Sequence, residues 1–182
     1  MEFEVYTLPN GIRIIHKRCD STVAHCSLTI NAGTRDELDG EHGIAHFIEH
    51  VIFKGTKKRK AFHIMSRLED VGGELNAYTT KEETVIHATF LKDYFDRAIE
   101  LISDITFRST FPDKEIKKEK EVVLDEINSY KDNPSELIFD DFEELIYDGH
   151  PFGLNILGSK KDIKRFTRTD IQNFINRTYN TD

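Results

Sequence analysis

The chain has 182 residues, of which 38% are hydrophobic and 32% charged, and it carries a formal net charge of -8. That length supports one core or two small ones, and thirteen Phe and six Tyr supply material for it, which excludes a disordered chain. No apolar run approaches the roughly 18 residues of a membrane span, and net acidity argues against nucleic acid as the main partner.

The start, Met1-Glu2-Phe3-Glu4, is acidic. It lacks the basic end and apolar run of a secretion signal, which favours a cytoplasmic location. Val5 and Leu8 lead into Pro9-Asn10-Gly11, a turn signal, and Ile12, Ile14 and Ile15 follow, so a hairpin is expected. A third β-rich run covers residues 23–30. Cys19 and Cys26 are too few for a disulfide scaffold and read as buried thiols on neighbouring strands.

A compact apolar helix is expected over 43–54, with Gly55 in the stop position. Residues 61–71 have helical spacing, ended by Gly72-Gly73. Two strands, 75–80 and 84–91, join at Lys81-Glu82. An amphipathic helix spans 94–107, and Pro112 opens a long one over 113–131. Ser135 caps a further helix carrying Leu137, Ile138, Phe142, Leu145 and Ile146. A loop at 148–159 follows, and Thr169 with Gln172 forms a capping box for a last helix. The fold class expected is α+β, with a mixed, largely antiparallel sheet and helices packed on one face.

Charge is uneven. Lys54, Lys57, Lys58, Arg59 and Lys60 cluster after the 43–54 helix and read as a solvated loop. From Asp132 to Ser159 there are seven acids and no Lys or Arg. They read as an acidic solvent face, or as a negative wall that attracts basic substrates.

The informative segment is His42-Gly-Ile-Ala-His46-Phe-Ile-Glu49-His50-Val-Ile-Phe53. At about 100° per residue, with His46 at 0°, Glu49 falls near 300° and His50 near 40°. Ile44, Phe47, Ile48, Val51 and Ile52 cover the rest of the circumference. The polar face is therefore narrow and made only of two His and one Glu, and it would face a cleft. Two His at i and i+4 can bind one metal ion from one face, and an intervening Glu can act as base. The order H-x-x-E-H is the inverse of the commoner zinc motif. A pair of core histidines with a hydrogen-bonded Glu is the plain structural alternative.

A catalytic zinc needs a third protein ligand. On the 113–131 helix, Ile116, Val123, Ile127 and Tyr130 form a core stripe, and Glu119 and Glu126 stand on its margin two turns apart. Two acids beside a buried stripe need partners, and a metal ion with a metal-bound His would serve.

The segment from His42 to Thr56 resembles the active-site helix of the insulinase/pitrilysin family of zinc metallopeptidases, which includes the mitochondrial processing peptidases. Gly72-Gly73-Glu74-Leu75-Asn76-Ala77-Tyr78-Thr79 resembles the family's substrate-binding strand. Glu119-Lys-Glu-Val-Val-Leu-Asp-Glu126-Ile resembles its second metal helix, and His150-Pro151-Phe152-Gly153 with Leu157-Gly158 a downstream loop. The resemblance implies one zinc per chain held by His46, His50 and Glu126, with Glu119 behind them. It implies a metalloendopeptidase in which Glu49 is the general base for a zinc-bound water. Asn76, Ala77 and Tyr78 would hold a peptide or unfolded protein segment as an added strand.

Family members are more than twice this length, with two related halves around the substrate. The expectation is therefore one α+β domain, 1–182, forming the N-terminal portion of a longer two-half peptidase. Alone it would be weakly active or inactive. It would need a C-terminal half or partner subunit to close the site, with a homodimer possible through exposed edges. Two other classes stay open. S-ribosylhomocysteine lyases also use H-x-x-E-H, but with a Cys ligand downstream of the motif, where this chain has none. A non-catalytic partner subunit is the other, although such halves generally lack an intact metal motif.

Overall fold

The computed structural model describes residues 3–181; the acidic start at Met1 and Glu2, and Asp182, lie outside the described residues. The chain is α+β. Strands β1 (Glu4–Thr7) and β2 (Arg13–His16) form an antiparallel hairpin turned at Gly11. A separate three-stranded sheet has the order β3-β5-β4, with β3 Val23–Ile30, β4 Glu74–Thr79 and β5 Thr84–Leu91. Every strand pair among the described residues is antiparallel.

The register follows from period-2 patterning. In β3 exposed and more buried residues alternate, and in β4 Leu75 and Ala77 point inward while Asn76 and Tyr78 are exposed. Thr79 pairs with Thr84 across the Lys81-Glu82 turn. One face of this sheet is covered by α3 (Phe95–Arg108), with α2 (Ala61–Glu69) packed on α3 and β4. Ile64, Leu68, Ala98, Leu101, Ile102 and Ile105 fill that layer.

A second core lies beside the first. It joins α1 (Ile44–Val51), α4 (Asp113–Lys131), α6 (Lys160–Arg165) and α7 (Arg168–Thr178) through Ile44, Phe47, Ile48, Val51, Val123 and Phe174, among others. Tyr179 packs against both cores. Helix α1 sits at the junction, since Ile52 at its end belongs to the sheet core. That explains why its apolar residues run nearly all the way round.

Several local expectations need correction. The helix after α4, α5 (Pro134–Ile146), has Asn133 rather than Ser135 at its N-cap. Proline's fixed φ suits the first helical position, and this moves the start two residues back. The last helix is boxed by Thr167 and Asp170, not by Thr169 and Gln172: each side chain of that pair accepts from the other's backbone N–H. Helix α6, capped by Ser159, begins where the expected 148–159 loop ends, in a stretch that carries no element in the sequence reading because six residues give too little periodicity. Cys19 is exposed ahead of β3 and only Cys26 lies on a strand, half-buried. Helix α5 buries none of its residues, so Ile138, Phe142, Leu145 and Ile146 face outward. Two of its five acids make the contacts instead: Asp140 accepts from Tyr130 at 2.6 Å, and Glu143 pairs with Lys81. The basic cluster is also less solvated than its composition suggests, because Arg59 pairs with the fully buried Asp104 at 2.6 Å.

Candidate metal centre

Helix α1 is held from its N-terminal end. The Glu37 carboxylate reaches across the preceding loop, Oε2 accepting from the Gly43 N–H at 2.9 Å and Oε1 from the Ala45 N–H at 3.0 Å. These two bonds satisfy orphan donors of the first turn. Burial, opposed by those donors, pushes Glu37 up to about 8. His42 does not face the ligands; its Nε2 meets the carbonyl of Asn155 at 2.8 Å. Gly43, with φ +94°, lies directly against Gly158.

With α1 fixed, the i, i+4 spacing brings His46 and His50 onto one face, their Nε2 atoms 3.2 Å apart. Helix α4 packs across α1 and delivers Glu126, whose Oε2 lies 3.3 Å from His50 Nε2 and 3.7 Å from His46 Nε2. Glu119, two turns earlier, is 7% exposed. Its Oε2 stands 3.6 Å from His50 Nδ1 and its Oε1 2.9 Å from the Lys54 ammonium.

These three atoms fit a metal ion. Ligands placed 2.0–2.2 Å from a tetrahedral zinc stand about 3.3 Å from one another, close to the triangle observed. The donor set, two imidazole nitrogens and a carboxylate oxygen, suits zinc. Glu126 Oε2 is buried yet accepts no hydrogen bond, which is costly for a carboxylate oxygen unless a cation faces it. Burial, and then the neighbouring His50, lowers the pKa of His46 to about 4, so the ring is neutral and its lone pair free at neutral pH.

Glu49 shares the face but is not part of that triangle. Burial raises its pKa, against the pull of the side chain and backbone of Thr79 and of His50, with Glu126 raising it further. Thr79 ends β4, the strand beside which α1 packs. β4 is an edge strand, paired only with β5 among the described residues, so its outer edge is free next to the helix. Of the residues expected to bind substrate, Asn76 and Tyr78 are exposed on that strand and Ala77 is buried. Two residues escaped the sequence reading: Lys54, which follows at the same four-residue spacing after His46 and His50, and Glu37, for which the only hint was an acid upstream of Gly43.

The fold is an α+β domain carrying a three-residue cluster that could hold a metal ion, and comparison with known proteins gives its family. The family model described as Insulinase (Peptidase family M16) matches residues 13–160, and the chain belongs to that family. It is 36% identical over 176 residues to the mitochondrial-processing peptidase subunit beta of Saccharomyces cerevisiae, covering 96% of this chain and 38% of that one. It is 38% identical over 182 residues to a zinc protease of Rickettsia bellii, covering 99% of this chain and 44% of the relative. A protease from Helicobacter pylori has a crystal structure matching with a TM-score of 0.93 at 27% identity, covering 99% of this chain and 44% of that chain. The chain thus spans less than half the length of these relatives. Among the described residues no helix is long and apolar enough to cross a membrane.

Proposed function

We propose that this chain is the metal-bearing domain of a zinc-dependent endopeptidase that hydrolyses peptides or unfolded protein segments. The observation that carries the reading is the convergence of His46 Nε2, His50 Nε2 and Glu126 Oε2 from two helices. Zinc held by these three side chains supplies a Lewis acid that polarises a carbonyl and acidifies a water. Glu49 takes the proton from the attacking water and returns it to the leaving amine. A carboxylate whose basicity is raised by burial suits that task. The free edge of β4 takes an extended peptide by backbone pairing, which carries the scissile bond past α1.

The domain is the N-terminal portion of a longer two-half enzyme, a reading supported by the share of each relative that it spans. A substrate lying on one open face keeps its water, and electrostatic stabilisation is weaker there than in an enclosed site. Residues 1–182 alone therefore bind zinc but cleave slowly. Cleavage of an unstructured fluorogenic peptide by the domain alone and by the longer two-half polypeptide, each with measured zinc content, tests this. Zinc-dependent cleavage by the longer form supports the reading. A longer form that holds zinc at His46 and His50 but cleaves no peptide overturns it in favour of a non-catalytic partner subunit.

A further inference from the structure

Lys54 lies just beyond α1, where the chain continues past His46 and His50 at the same four-residue spacing. Its ammonium is 2.9 Å from Glu119 Oε1, while the other oxygen of that carboxylate faces His50 Nδ1 at 3.6 Å. Glu119 is 7% exposed, and its ionic partners among the described residues are these two. A carboxylate that buried needs a cationic partner to hold it in place, and the Lys54 ammonium stands in hydrogen-bond range of it.

We propose that Lys54 is a positioning residue of the metal centre. It clamps one oxygen of Glu119 so that the other stays against Nδ1 of His50. A carboxylate oxygen facing Nδ1 at 3.6 Å favours the tautomer with its proton there, which leaves the Nε2 lone pair directed into the space it shares with His46 Nε2 and Glu126 Oε2. The proposal rests on the metal-centre reading above. It departs from simple electrostatics in sign. A positive charge near a cation site should weaken binding, so removing it should tighten zinc; loss of the clamp should loosen zinc instead.

The test uses the chain with K54M, K54R, E119Q and the K54M/E119Q pair. Zinc affinity is measured by competition with a chromophoric chelator, the His50 tautomer by long-range proton–nitrogen NMR of the metal-free protein, and folding by urea unfolding. Partners of metal-bound histidines typically carry a tenfold to hundredfold effect on affinity, so K54M should bind zinc about tenfold more weakly. It should also lose the Nδ1–H preference of His50, whereas K54R should stay within about threefold of the unaltered chain. The pair should lose little more than either single change, because both break one clamp. Unchanged or tighter zinc binding by K54M overturns the proposal, as do additive losses in the pair. If K54M unfolds, E119Q with an unshifted tautomer overturns it equally. Failure of the unaltered chain to bind zinc overturns the metal-centre reading itself.

Discussion

Gly43 and Gly158 meet backbone to backbone: a Cβ on Gly43 would lie 2.7 Å from the Cα of Gly158, and one on Gly158 would lie 2.4 Å from the Cα of Gly43. The contact seats the N-terminus of α1 against the loop before α6. Both glycines have positive φ, +94° and +78°.

Gly158→Ala should therefore destabilise the fold well beyond conformational strain. Gly149 makes a useful comparison, since it has φ +71° and nothing within 4 Å of an added Cβ. Strain alone should make Gly149→Ala cost about 1 kcal/mol. The backbone clash should add at least about 2 kcal/mol for Gly158→Ala. Urea unfolding checks the difference; equal losses would mean the loop moves aside freely.

His50→Ala should remove stoichiometric zinc, because only two ligand atoms remain. Glu49→Gln should leave zinc in place and, in the two-half enzyme, slow cleavage at least ~100-fold, the scale of a lost general base. Metal analysis and peptide kinetics on the same preparations separate the two roles. Full zinc occupancy in His50→Ala would falsify the ligand assignment.

The pH dependence of stability has a definite sign. His46 is held near 4 when folded, below the ordinary value of about 6.5. Between those values the unfolded chain binds a proton that the folded chain does not. The contribution of His46 is therefore fully present above about pH 6.5 and is lost as pH falls toward about 4, up to about 3 kcal/mol in all. Denaturant unfolding of the unaltered chain and of His46→Gln, both with a chelator present, isolates it. Parallel stability curves for the two would show that His46 titrates normally.

The buried pair of Arg59 and Asp104 gives a prediction away from the metal. Asp104 is fully buried and accepts from both Arg59, at 2.6 Å, and Thr56, at 2.8 Å. Arg59→Leu leaves that carboxylate with Thr56 and a long 3.8 Å contact to Arg108, and should cost about 3 kcal/mol. Arg59→Leu combined with Asp104→Leu should recover much of the loss, since no buried charge remains. A thermal melt of both variants decides it.

What the sequence determined by itself was local. The α1 pattern, with apolar residues on nearly every side and His46, Glu49 and His50 on one narrow face, follows from helical geometry over eight residues and needs no knowledge of the rest. The β4–β5 hairpin follows equally from period-2 alternation and the intervening turn. Periodicity could place Glu126 and Glu119 only on a helix margin; their meeting with His50 was an implication of the family resemblance, not of the residue pattern. That convergence required α4 to pack across α1, which depends on Val123 and Ile127 meeting Phe47 and Val51 in the second core. The Lys54–Glu119 clamp, the Gly43–Gly158 contact and the Arg59–Asp104 pair join residues far apart in the chain. Composition placed Lys54 and Arg59 in a solvated loop, and only tertiary packing brought carboxylates to them. The same holds in reverse for α5. Its sequence pattern gives a helix but not which side faces the protein, and Asp140 and Glu143, not the apolar residues, make the contacts. Short-range order is set by backbone periodicity, whereas the pairing of distant charges is set by which faces the two cores leave available.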